Sequence, residues 1–417
     1  MRWLVNLVYI IALVLTSPIW LLRMIRTGKI KTDWQGRFGR TTQLGPKDGK
    51  RLLIHTVSVG EVNAIEQLTQ KLTNNKYAPQ IIISTTTDTG FARAKSFLGD
   101  RFKIVRYPFD FSFCVSRFLK SIEPDAVALF ELEVWPNFTA ACQRRGIAIC
   151  VVNGRLSQRS FNRYKQIRSL VKPSFNRLAF AAVQSQTYAK RFEEMGVNND
   201  LIHVTGSMKW DAAKITDHVD GADDLAQELG IDRNRPLIVA GSTAPGEHEL
   251  FASCIPGDIQ LLCAPRKPEW FDQAAASLPG CARRSKGTRG SPTGRFLLDS
   301  IGELRQAYAL ADIIIVGRSF VDLYGSNVSE AVALGKATVI GPAVSDFQDS
   351  VDALVNGDGI IQTTRDDLAD VLRELLDNPN RREQLAANAR DVIQEQQGAT
   401  DRNANLVIEL LYKTSRV

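Results

Sequence analysis

The residues able to do chemistry in this chain sit where apolar runs end. Leu52-Leu-Ile-His-Thr-Val57 closes in Ser58-Val-Gly-Glu61, and the amphipathic segment Val62 to Leu72 follows at once. That order predicts strand, tight glycine turn and helix, with Glu61 at the helix start and at the carboxyl edge of a parallel strand. A glutamate there is either a first-turn residue favoured by the helix dipole or a positioned acid/base group. Taken alone, the motif favours the first reading. Ser58 and Gly60 frame it. Glu131-Leu-Glu133 follows the run Ala126 to Phe130 and puts two carboxylates on one face if the strand continues; a solvated loop is the alternative. Arg155, Arg159 and Arg163 are spaced i, i+4, i+8, which on a helix makes one cationic stripe, suited to a phosphate or simply solvated.

The second half repeats the theme. Gly241-Ser-Thr-Ala-Pro-Gly246 has Walker-like glycine spacing, but Glu247 stands where a phosphate-binding loop needs Lys. That excludes a P-loop NTPase and leaves a backbone-lined anion turn at Ser242. Pro265-Arg266-Lys267 directly follows an apolar run, where a cation can meet a phosphate. Gly302-Glu303 and Ser319 also lie at run ends, and Asn327-Val-Ser-Glu330 opens a helix expected over 327–334 with free N–H groups at its start. Each has a capping or turn reading; their convergence on one sheet edge is the argument for a donor site. No G-x-G-x-x-G opens either half, so a dinucleotide oxidoreductase is disfavoured. Ser58 lacks a nucleophile elbow. The absence of a D-x-D pair favours a metal-independent reaction.

Positioning these groups requires alternating strands and helices. Strand-like runs recur at 81–84, 103–106, 126–130, 148–152, 180–183 and 202–205, then at 237–240, 260–264, 295–298, 312–316, 337–340 and 359–361. A polar or charged motif ends nearly every one. Turn-rich 211–236 reads as a linker with one short helix, which divides the chain into a domain at 31–210 and another at 237–400, with a C-terminal helix at 401–417 able to pack back on the first. The fold class is α/β with two Rossmann-like halves.

A chain of 417 residues with 44% hydrophobic and 23% charged content suits two globular cores. The net charge of +7 suits an anionic partner: a membrane surface or a phosphorylated substrate, with no nucleic-acid motif present. Six scattered cysteines and four histidines point to a reducing compartment and no metal site. Residues 1–30 read as a membrane anchor and basic flank. Trp3 to Leu22 carries no charge, is long enough to span a bilayer and is bounded by Trp3 and Trp20. Arg23, Arg26, Lys29 and Lys31 then place the body of the chain on the cytoplasmic side. A helix lying in the interface and a cleaved signal are the rivals.

In order, these motifs resemble those of the 3-deoxy-D-manno-octulosonic acid transferases. The likeness runs through Arg37-Phe-Gly, Ser58-Val-Gly-Glu61, Thr85-Thr-Thr-Asp-Thr-Gly90, Tyr107-Pro-Phe-Asp110, Glu131-Leu-Glu-Val-Trp-Pro136 and Asn153-Gly-Arg-Leu-Ser-Gln-Arg-Ser160. It continues in Gly241-Ser-Thr, Pro265-Arg266, Asp299-Ser-Ile-Gly-Glu-Leu304, Asn327-x-x-Glu330 and Gly341-Pro342. The resemblance implies a GT-B fold, two domains facing a cleft, and inverting transfer of the sugar acid from its CMP-activated form to lipid A precursor at the inner membrane, without cofactor or metal. It implies Glu61 as general base, Glu131 as a second acid at the acceptor site beside Ser58, Gly60 and Arg155, and Ser242, Arg266, Asn327 and Glu330 around the donor's phosphate and ribose. Departures from the family pattern fall mainly on the donor side, at Ser207, Ala244, Lys267, Arg318 and Ser326. They keep open a different nucleotide-sugar donor or a non-catalytic relative.

Overall fold

The computed structural model describes residues 2–26, 32–41 and 44–413. Lys29 and Lys31 of the basic flank lie outside them, as do the side chains of Trp3, Trp20 and Arg23. The chain forms two units, Met1–Ala212 with Gln397–Val417, and Ala213–Gln396.

In the first unit, short apolar runs become parallel strands because both faces of the sheet are covered. They are β1 (Arg51–Thr56), β2 (Gln80–Thr85), β3 (Lys103–Arg106), β4 (Ala126–Phe130), β5 (Ala148–Gly154), β6 (Phe180–Val183) and β7 (Ile202–Val204). Their order is β3-β2-β1-β4-β5-β6-β7. Helices α1 (Arg2–Arg26) and α2 (Trp34–Arg37) precede the sheet. The connections carry α3 (Val59–Thr73), α4 (Asp88–Leu98), α5 (Ser112–Ile122), α6 (Pro136–Arg144), α7 (Gln158–Gln166), α8 (Arg168–Phe175) and α9 (Gln186–Met195). The period-two alternation of β1 splits its side chains between two cores: Leu53 joins Phe118, Val127 and Phe138 on one face, while Leu52 and Ile54 join Leu68 and Phe130 on the other. The winding reverses between β1 and β4, where doubly wound sheets open a crevice at the strands' carboxyl ends.

Asp110 fixes both α6 and α1. Its half-buried carboxylate accepts from the backbone N–H groups of Asn137 and Phe138, capping α6 from outside that helix, and from the Tyr9 hydroxyl. Asn6 of α1 bonds Ser112 and Asn137. The first turns of α1 therefore hold the domain through polar side chains. Among the described residues no helix is long and apolar enough to cross a membrane, so the expected span is not met.

The second unit has its own parallel sheet: β8 (Leu237–Thr243), β9 (Gln260–Pro265), β10 (Ala282–Arg283), β11 (Arg295–Leu297), β12 (Ile313–Val316), β13 (Ala337–Ile340) and β14 (Ile361–Gln362), in the order β10-β11-β9-β8-β12-β13-β14. Its helices are α10 (Ala222–Leu229), α11 (His248–Cys254), α12 (Phe271–Ser277), α13 (Leu304–Leu310), α14 (Ser329–Val332), α15 (Gln348–Asn356), α16 (Leu368–Asp377) and α17 (Pro379–Gln396). The segment read as a linker contains α10, which buries Leu225, Ala226 and Leu229 and packs on α13. The last helix, α18 (Ala399–Lys413), belongs to the first unit. It buries Val407 and Leu411 in the core beneath α3, and its Asn403 accepts from the Asn153 N–H.

Candidate active site

Helix α3 starts at Val59, earlier than the apolar pattern suggests, because Ser58 is an N-cap with extended backbone (φ −118°, ψ 167°). Its hydroxyl accepts from the Glu61 N–H at 3.4 Å and donates to the Glu61 carboxylate at 3.0 Å. The second carboxylate oxygen accepts from the Val57 N–H at 2.8 Å. The capping role is therefore real, a variant of the capping box reaching one residue further back. It does not exhaust the group. Burial, the Glu131 charge and, more weakly, Glu133 push its pKa up to about 7, although the Val57 N–H and Ser58 hydroxyl pull it down. A carboxylate titrating near neutrality, at the reversal between β1 and β4, has the properties of a general base.

Glu131 does not continue β4. Its backbone turns to φ 63°, so Glu131 and Glu133 leave the strand on a turn rather than on a common pleated face. Glu133 points back to His55, whose Nε2 lies 3.9 Å from Oε2, and accepts from Trp135 Nε1 at 2.7 Å. Burial alone would raise the Glu133 pKa, but His55 and Trp135 hold it below the usual carboxylate range. An ionised Glu133 is one of the charges that keep Glu61 protonated. His55, fully buried in β1, stacks on Tyr107 with ring centroids 3.7 Å apart, and its Nδ1 lies 3.0 Å from the Ser84 hydroxyl. Sequence reasoning assigned neither His55 nor Tyr107. The available signal was a titratable side chain inside a strand otherwise buried end to end.

The Thr85–Gly90 motif braces this corner. The Thr87 hydroxyl donates to the Val57 carbonyl at 2.6 Å while accepting from the Gly90 N–H. A Cβ at Gly90 would stand 2.9 Å from the same carbonyl, so only glycine lets α4 approach so closely. Arg37 of α2 donates to the Thr86 carbonyl, and Arg106 pairs with Asp88 at 2.9 Å. Gly60 differs: a Cβ there would meet only the Ser58 hydroxyl, at 3.9 Å. Arg155 precedes α7 and is not in line with Arg159 and Arg163. Its N–H bonds the Glu131 carbonyl and its Nε lies 3.5 Å from the Tyr188 hydroxyl, which keeps it at the corner while the other two are exposed on α7.

In the second unit the reversal falls between β8 and β12. Glu247 fills it. This carboxylate is fully buried and accepts from four backbone N–H groups, those of Ala244, Arg318, Ser319 and Phe320. The anion turn foreseen at Gly241–Gly246 is thus satisfied from within the chain. Ser319 is buried in the same corner, its hydroxyl taken by the Val316 carbonyl and the Gly341 N–H, so it is not open to a ligand. Glu303 is bound by Arg284 and Ser300, and Arg284 holds it below the usual carboxylate range. Lys267 lies over the Trp270 ring and pairs with Glu269. The helix expected over 327–334 is only Ser329–Val332, and the Ser329 N–H is capped by Asn327 itself. Glu330 is half-buried near Tyr308, whose pKa is raised by burial and then by the Glu330 charge.

What remains together is a small pocket of about 80 Å³ at the ends of β8, β9 and β11, lined by Ser242, Arg266, Ser300 and Gly302. Ser242 reaches it through a left-handed backbone (φ 56°), and Arg266 is exposed there. One cation, the Ser242 hydroxyl and a glycine turn suit a small phosphorylated ligand.

Residues 32–212 match the family described as 3-deoxy-D-manno-octulosonic-acid transferase (kdotransferase), and residues 295–392 match glycosyl transferases group 1. The 3-deoxy-D-manno-octulosonic acid transferase of Bordetella pertussis is 31% identical over 433 residues, 97% of this chain and 99% of that protein. The enzyme of the same name from Haemophilus influenzae is 29% identical, covering 85% and 86%. Among solved structures, a glycosyltransferase from Rickettsia africae aligns with a TM-score of 0.59 at 12% identity, covering 88% of this chain and 99% of that one. A UDP-GlcNAc 2-epimerase from Neisseria meningitidis aligns at 0.58 and 11%, covering 87% and 100%. At such identities these two structures establish the fold, two Rossmann-like units of GT-B type.

Proposed function

Because the chain belongs to the 3-deoxy-D-manno-octulosonic acid transferase family and is a glycosyltransferase, we propose that it moves this sugar acid from its CMP-activated form to a lipid A precursor in lipopolysaccharide synthesis. Glu61 takes the proton from an acceptor hydroxyl as that oxygen bonds to the anomeric carbon. The bond from that carbon to the CMP phosphate oxygen breaks on the opposite face, with inversion. CMP departs as an anion, and Arg266 in the Ser242–Gly302 pocket offsets its charge. Glu131 and Arg155 hold the acceptor beside Glu61.

The observation that carries this reading is the Glu61 carboxylate at the β1/β4 reversal, pushed up to about 7 chiefly by burial and Glu131. The test is release of CMP from the CMP-sugar acid with tetra-acylated lipid A precursor, in wild type and Glu61→Gln. Turnover lost in the variant with CMP binding retained supports the assignment; unchanged turnover refutes Glu61 as base. Rates unchanged by a chelator are expected, since no step invokes a metal.

The acceptor is a lipid, and α1 suits an interface. Leu7, Ile10, Val14, Leu15, Ile19 and Leu22 are each at least 45% exposed, while Asn6 and Tyr9 tie the opposite side to the domain. We read α1 as lying in the cytoplasmic leaflet of the inner membrane, apolar face down.

A further inference from the structure

A second feature lies beside α1 and is used by none of the steps above. Val5 closes a cavity of about 120 Å³ in the groove between α6 and α8, lined also by Asn137, Arg144, Ser174 and Arg177. Glu61, Glu131 and Arg155 do not line it.

Its chemistry is lopsided. Arg144, at the end of α6, is exposed. Arg177 is half-buried, oriented by the Gln143 side-chain oxygen at 2.9 Å. Burial and the neighbouring Arg144 charge both lower the Arg177 pKa, so the fold brings two guanidiniums together at a cost. Among the described residues no carboxylate pairs with either. The Ser174 hydroxyl on α8 is fully buried in the wall and has no hydrogen-bond partner. Two unneutralised cations and an unused buried hydroxyl around one small cavity describe a site for a tetrahedral anion.

The position selects the anion. Val5 is buried on the domain side of the helix whose other face is apolar and exposed, so the cavity lies directly against the element read as meeting the bilayer. We propose that Arg144, Arg177 and Ser174 bind the phosphate of an anionic membrane phospholipid, seating α1 on the leaflet at a site separate from the transfer chemistry. This rests on the interfacial reading of α1 given above.

The experiment is sedimentation of the full-length protein with phosphatidylcholine vesicles, with and without phosphatidylglycerol. The double variant Arg144→Gln/Arg177→Gln should lose about thirtyfold in partitioning to the anionic vesicles, taking each surface cation at its usual weight. Its binding to pure phosphatidylcholine and its thermal unfolding should match wild type. Ser174→Ala should lose a few-fold. If the double variant does not fold, Arg144→Gln alone decides, with about a fivefold loss expected. Equal partitioning of wild type and folded variants to anionic vesicles overturns the site while leaving the α1 reading intact. No vesicle binding by wild type overturns both. A thermal shift from sodium phosphate that requires the two arginines, with vesicle binding unchanged, overturns the lipid assignment in favour of a soluble phosphate.

Discussion

Replacing Glu61 by Gln should make the protein more stable and less active, and the pH should decide by how much. The carboxyl titrates at about 7 in the fold against an ordinary 4.5. At about 1.4 kcal/mol per pH unit, the ionised side chain costs the folded state roughly 3 kcal/mol. The sign follows from the raised pKa. Below the unfolded value of 4.5 both states carry the proton and there is no cost. As pH rises towards 7 the unfolded chain releases its proton first, and stability falls until the folded group has ionised. Gln is neutral throughout, and its carbonyl can still accept from the Val57 N–H. Urea unfolding of the two proteins should coincide near pH 4 and diverge through the window 4.5 to 7, with Gln ahead by up to roughly 3 kcal/mol at pH 8. Asp110 is also raised to about 7 by burial, so it adds its own slope in the same window. That slope is common to both proteins and cancels in the difference. CMP release by the variant should fall by about 10² to 10⁴, and wild-type kcat/KM should climb through pH 7 and level off. Stability curves that stay parallel at every pH would refute the raised pKa, and full activity would refute the role.

Three further outcomes follow from the same geometry. Glu247→Gln should destabilise the second unit by about 1–3 kcal/mol in urea unfolding: burial raises this carboxyl too, but an amide N–H₂ then faces backbone N–H groups that four bonds to the carboxylate satisfied, which outweighs the relief of a buried charge; a gain in stability would show that the four bonds are not formed. Gly60→Ala should leave stability unchanged or raised by about 0.5–1 kcal/mol, while KM for the lipid acceptor rises, since the space beyond Gly60 is open in the chain itself. An unaltered KM would remove Gly60 from the acceptor site. Arg266→Ala should weaken CMP binding by about 10- to 150-fold by calorimetry with no change in melting temperature, a charge-assisted contact being worth about 1.5–3 kcal/mol; unchanged binding would place the phosphate elsewhere.

Much of this architecture was legible because its signals are local. A strand buried on both faces must be a short continuous apolar run, and nearly every such run named from composition became a strand. The exceptions have equally local causes. β10 is two residues long, too short to leave a pattern. α3 begins before its apolar stripe because the Ser58 cap, not hydrophobicity, starts it. The site was less legible. Ser319 and Glu303 sit at run ends like Arg266, yet both are consumed by bonds within the fold.

The two glutamates that follow a strand and a glycine turn show where the boundary falls. The chain by itself determined that Glu61 and Glu247 would each stand at a strand's carboxyl end, at a helix start, because turn and cap chemistry act over a few residues. It did not determine which could work as a base. Glu247 is filled by N–H groups arriving from the end of β12, 71 to 73 positions away. Glu61 has one backbone donor and one hydroxyl, and its charged neighbour Glu131 arrives on the turn that follows the adjacent strand β4. Burial raises the Glu247 carboxyl as well, against its four donors, so access separates the two: Glu247 is fully buried and enclosed by N–H groups, whereas Glu61 is only half-buried, and both donor count and access are properties of what the sheet order brings together.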